Sequence, residues 1–91
     1  MKFSKLEGMQ VFSSDANVVG EVTGAEIRIK NWEITHLCIE VSDEAVVKLG
    51  HKKPFIGHIT IHLPVSYVKT VGDVVTLDRT LQELKKIPPS K

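Results

Sequence analysis

Cysteine is almost missing from this chain. Cys38 is the only one in 91 residues, so an internal disulfide and a cysteine zinc site are excluded, and a reducing compartment fits. No apolar run approaches the roughly 20 residues that cross a bilayer as a helix, and the start at Met1 to Lys5 leads into no signal-type apolar stretch. A cytoplasmic location is expected. Charge of one sign is also lacking. Twelve Lys and Arg against 11 Asp and Glu leave a net charge of +1, too little for a global field that draws the protein onto nucleic acid or anionic lipid. Binding of that kind has to come from a local patch. Aromatic residues make up 5% of the chain, and they form no interleaved stacking platform for single-stranded nucleic acid.

What is present is an ordinary globular composition, 42% hydrophobic and 25% charged, which disfavours disorder. A chain of this length forms one domain with a thin core, assigned here to residues 1–87 with a disordered tail at 88–91, and a partner or a dimer would add stability. One phrase occurs twice, as Val19-Gly20-Glu21-Val22 and Val71-Gly72-Asp73-Val74. Glycine inside β-branched runs reads as the corner of a strongly bent sheet. Gly20 and Gly72, with the turn residue Gly8 and the acid Asp73, are therefore the expected fold-defining positions. Valine at either corner is expected to cost folding.

Along the chain, Gly8 to Phe12 reads as a strand, Ser13 to Asn17 as a turn, and Val18 to Thr23 as a second strand that Gly24 breaks. Ala25 to Ile29 resumes the pattern, Lys30-Asn31 supplies a polar turn, and a hairpin follows. From Glu33 to Val41 the alternation puts Leu37, Ile39 and Val41 on a core face, with Ile34, His36, Cys38 and Glu40 opposite. Ser42 with Asp43 and Glu44 reads as the cap and first turn of a helix of about two turns, closed by Gly50. Ile59, Ile61 and Leu63 alternate against His58, Thr60 and His62 in the clearest strand, which Pro64 ends. Val65 to Val68 connects to a last strand, Val74 to Leu77. Leu81, Leu84 and Ile87 have helical spacing that suits packing over a barrel mouth.

The segments Leu6 to Phe12 with Asp15, Val19-Gly20-Glu21-Val22, Trp32 to Val41, and Leu63 to Val68 followed by Val71 to Leu77 resemble the PRC-barrel domains, roughly from Phe3 to Leu84. The resemblance implies an all-β small barrel with one short inserted helix and a C-terminal helical turn. It implies a non-catalytic adaptor, similar to the short stand-alone archaeal group. Some of these are linked to cell division through a SepF-type anchor, and ribosome-maturation factors carry the domain too. Ala16 stands where family members often carry glycine, and Asn17 is expected to take over the left-handed position.

No catalytic residue, metal or cofactor is assigned. His58 and His62, four apart on a strand, lie about 13 Å apart, too far to share one ion, and with His36 they read as a solvent-facing row. Cys38 reads as a packed small side chain, and Ser13-Ser14-Asp15 as a turn without the setting of a nucleophile elbow. Lys48, His51, Lys52 and Lys53 form the densest basic patch, whose bland reading is a solvated loop. Trp32, Ile34, Phe55 and Tyr67 each read singly as core, yet a thin core leaves large residues over. An interface on the Trp32 strand face is the preferred site. The expectation is a protein-interaction adaptor, homodimeric, with nucleic-acid binding in ribosome assembly as the alternative.

Overall fold

The computed structural model describes residues 3–50 and 58–88. Its spine is β2, Val18–Arg28, an 11-residue strand whose β-branched residues suit an extended, half-buried backbone. The expected break at Gly24 does not occur. The ladder to β3, Glu33–Val41, absorbs an extra residue between Val22 and Gly24 and another irregularity at Glu26/Ile27, so the strand bends through bulges instead of stopping.

Around this hairpin lie α1, Phe3–Leu6, and β1, Gln10–Phe12, then α2, Asp43–Lys48, and β4, Thr60–Pro64, with β5, Val68–Val71, and β6, Val75–Leu77, last. Short 3₁₀ turns occupy Val65–Tyr67 and Glu83–Lys86. The six strands form one mixed sheet in the order β4-β3-β2-β1-β6-β5, with β1 and β6 parallel and the other pairs antiparallel. The fold is therefore mostly β. Among the described residues it is not closed into a barrel, because β4 and β5 are its two edges.

The sheet is nonetheless strongly curled. Laid flat, edge strands five spacings apart would be separated by about 24 Å. Only Val65–Tyr67 separate the end of β4 from the start of β5, and four backbone steps reach no more than about 15 Å. The sheet has to bend back on itself at that end.

The alternation expected from the sequence sets the core. Leu37, Ile39, Val41, Ile61 and Leu63 are buried, with Val11, Val19, Val22, Val75 and Leu77 from the remaining strands. Helix α2 forms as expected: Ser42 accepts a hydrogen bond from the Ala45 amide, Ala45 and Val46 are buried, and Gly50 follows Leu49 with φ +76°. The C-terminal segment makes only a 3₁₀ turn, but Leu81 and Leu84 join the core. Thr80 and Glu83 cap it reciprocally, Thr80 N–H donating to Glu83 Oε1 at 3.0 Å and Glu83 N–H to Thr80 Oγ1 at 3.2 Å.

The two Val-Gly-acid-Val phrases have different places. Gly20 lies inside β2 at a bulge opposite β1, and a Cβ there would meet the Glu40 carbonyl oxygen at 2.1 Å. Gly72 lies in the turn between β5 and β6, with nothing within 4 Å of an added Cβ and no positive φ. Only Gly20 is the sterically required corner, and the expectation that Gly72 is its equal is corrected. Asp73 is an exposed turn residue. Gly8, at φ +85°, makes the turn into β1.

The Ser13 to Asn17 turn ties the ends of the domain together. Ser13 is buried and donates to Asp15 Oδ1, its hydroxyl accepts from the Asn17 amide, and Asp15 Oδ1 also accepts from the Leu81 amide at 3.2 Å. The Ser13 hydroxyl is the main reason that the Asp15 carboxyl sits below the usual carboxylate range. Ser14 N–H donates to the Arg79 carbonyl. Holding this clasp puts Ala16, not Asn17, in the left-handed region at φ +63°. Alanine there costs about 1–2 kcal/mol, against which glycine loses about 0.5–1 kcal/mol in chain entropy. Ala16→Gly is therefore expected to stabilise the protein by roughly 0.5 kcal/mol, raising the urea midpoint with an unchanged slope. A lower midpoint would contradict the strain.

Candidate docking surface

The β2–β3 hairpin outruns its neighbours. β1 pairs with β2 only from Val18 to Glu21, and β4 pairs with β3 only from His36 to Glu40. Past the Glu26–His36 pair, residues 27–35 have no third strand beside them among the described residues. This leaves a two-stranded arm, closed by the Arg28–Glu33 pair and a four-residue turn at 29–32. Such ribbons are marginal alone and rest on the sheet they grow from.

The arm is apolar where a solvated turn would be polar. Trp32 is 75% exposed, Ile29 74% and Ile27 52%, three of the five exposed large hydrophobic residues among the described residues. Ile27 pairs with Ile34, which is half-buried against the core. Arg28 and Lys30 alternate with the isoleucines, and among the described residues neither is ion-paired. The turn is held by Asn31 Oδ1, which accepts from the Glu33 amide at 3.3 Å. Trp32 follows at φ +57°, a left-handed conformation that costs a bulky side chain on the order of 1–2 kcal/mol.

The sequence reading placed Trp32 on a strand face, and the structure moves it to the turn. Of the expected interface residues, Trp32 and Ile34 share the arm. Tyr67 does not join them as a free ring: it is half-buried against the core, with the Arg79 guanidinium 4.7 Å from its centroid. Phe55 lies outside the described residues. Ile27 and Ile29 were missed as site residues, because alternation alone reads them as a core face. The strand lengths that leave them uncovered are a tertiary property.

The outer face of β2, β3 and β4 gathers the histidines. His58 Nδ1 lies 3.2 Å from Glu40 Oε1, His62 Nδ1 contacts Glu26 Oε1, and His36 Nδ1 lies 3.0 Å from Thr35 Oγ1. Cys38 is opposite His62 in register, and partial burial, with Glu26 nearby, pushes its thiol pKa up, away from reactivity. Among the described residues no three His, Cys, Asp or Glu side chains could hold a metal ion. Each of these three histidines engages a different partner.

Of the basic patch, Lys48 is bound at home, 3.1 Å from Glu44 Oε1 and 3.1 Å from Asn17 Oδ1. His51, Lys52 and Lys53 lie outside the described residues. A cleft of about 240 Å³ lies where β2 and β3 meet α2, with Glu21, Glu40, Asp43 and His58 among its lining. It is smaller than the roughly 300 Å³ at which small-molecule sites begin.

No family model matches this chain, and no curated protein matches it. No helix among the described residues is long and apolar enough to cross a membrane.

Proposed function

We propose that this chain is a non-catalytic docking module, an adaptor that joins components through surface complementarity. The observation that carries the reading is the arm: Ile27, Ile29 and Trp32 are held in water on a ribbon that gives the core only Ile34, and the turn that presents them keeps the bulky Trp32 in the left-handed region. The PRC-barrel resemblance supports the same reading. It suggests a curled sheet that serves as a rigid platform in an archaeal division or membrane-associated assembly, with a SepF-type anchor as the protein partner and a homodimer as the working unit. Among the described residues β4 and β5 each pair with a strand on one side only, which suits strand addition by a protein partner. The ribosome-assembly alternative loses one of its cations, since Lys48 is engaged within the chain.

A photo-crosslinking side chain in place of Ile29, compared with one in place of the exposed Lys85, tests the reading in cells. Labelling of a discrete component from position 29 and not from position 85 is expected. Equal labelling at the two positions, or none at either, would remove the arm as a docking surface.

A further inference from the structure

We infer that the β2–β3 arm docks on an anionic lipid surface, with Trp32 and Ile29 entering the headgroup boundary and Arg28 and Lys30 meeting lipid phosphates. This rests on the docking reading above and names what the arm docks on.

Three observations favour lipid over a protein groove or a second copy. The first is shape. The apolar surface belongs to a convex four-residue turn and the strand ends beside it, whereas a specific protein complex needs about 800 Å² on each partner. A bilayer sets no such minimum, because each side chain partitions by its own burial. The second is composition. Tryptophan, whose ring is apolar and whose N–H is polar, concentrates at membrane interfaces. Isoleucines interleaved with Arg28 and Lys30 place apolar atoms and cations side by side, the pattern that lets long basic stems reach phosphate while the body is immersed. The third is charge. Arg28 and Lys30 are without ion pairs among the described residues, although Glu33 lies opposite Arg28 in register, so both cations are open to an outside anion. An anionic surface neutralises them.

Trp32 is the only tryptophan of the chain, so its fluorescence reports the arm alone. The full chain is titrated with vesicles of phosphatidylcholine containing phosphatidylglycerol, and with vesicles of phosphatidylcholine only. With the anionic vesicles the Trp32 emission is expected to shift to the blue and the protein to co-sediment. Arg28→Gln with Lys30→Gln keeps the probe and is expected to lower partitioning roughly thirtyfold, at about fivefold per cation near the surface. Trp32→Gly is expected to lose co-sedimentation while its melting temperature is equal to or above that of the parent. That separates docking from folding.

Emission that stays unchanged with anionic vesicles overturns the inference. So does partitioning that is the same for both vesicle types, or unaffected by the double glutamine variant. A blue shift that follows protein concentration without lipid would instead identify a second copy as the occupant. The crosslinking experiment keeps the two readings apart: protein-only labelling from position 29 would retain the docking module and discard the lipid surface.

Discussion

Gly20→Ala is expected to cost about 3 kcal/mol or more, and Gly20→Val to prevent folding, while the same changes at Gly72 leave stability within about 0.5 kcal/mol. The asymmetry follows from what a Cβ would meet. At Gly20 it would stand 2.1 Å from the Glu40 carbonyl oxygen and 2.9 Å from the carbonyl carbon, both backbone atoms of the neighbouring strand. No rotamer change removes that clash, so β2 and β3 would have to separate where they carry the core pairs Val22–Ile39 and Gly20–Val41. Native stability at this length is about 5–14 kcal/mol, so the loss is a large part of the whole. At Gly72 the added atom meets nothing and the backbone needs no positive φ. Replacement there also removes unfolded-chain freedom, a small gain. Equilibrium denaturation of the two alanine variants decides the matter, and equal losses at both positions would refute the structural distinction.

The same pair shows what the sequence could and could not convey. A repeated Val-Gly-acid-Val phrase marks two places where a strand meets a glycine, and that much is local. Which of the two has another strand pressed against it depends on register, which no local pattern carries. Alternation and capping were legible because each is a short-range rule: Leu37, Ile39 and Val41 point inward together, and Ser42 caps α2. The reciprocal cap at Thr80 and Glu83 follows a rule of the same short range, Thr-x-x-Glu at the start of a turn. Ala16 is different. Intrinsic preference favours Asn17 for the left-handed position, but the buried Ser13 hydroxyl and the Asp15 link to Leu81 fix the turn around Ala16.

The candidate site was half legible for a related reason. Trp32 and Ile34 stand out as large apolar residues that a thin core could leave over, and the structure places both on the arm. The rest needed the lengths of neighbouring strands. β1, with three residues, lies beside β2, and β4, with five, lies beside β3, so neither reaches the end of the β2–β3 hairpin. Ile27 and Ile29 have the spacing of core positions, and they face water because the sheet ends before they do. Closure of the sheet was not local either: β-rich composition and bent strands fit a barrel or an open curled sheet equally, and the pairing decides it.

Truncating Leu84 is the second large effect. Leu84 is fully buried although its segment is only a four-residue 3₁₀ turn, and such a turn has little stability of its own. Its place is held by the Thr80–Glu83 cap, by Asp15 through the Leu81 amide, and above all by Leu81 and Leu84 in the core. Leu84→Ala removes one of these anchors and leaves a cavity, so a loss of about 2–4 kcal/mol is expected. The exposed neighbour Lys85 changed to alanine should stay within about 0.5 kcal/mol. If the two variants unfold at the same denaturant concentration, the C-terminal turn is an appendage and not a wall of the core. The measurement has to follow the backbone, by far-ultraviolet circular dichroism. The only tryptophan is already 75% exposed in the native state, so its emission changes little when the core opens, and for the same reason it is free to report what the arm touches.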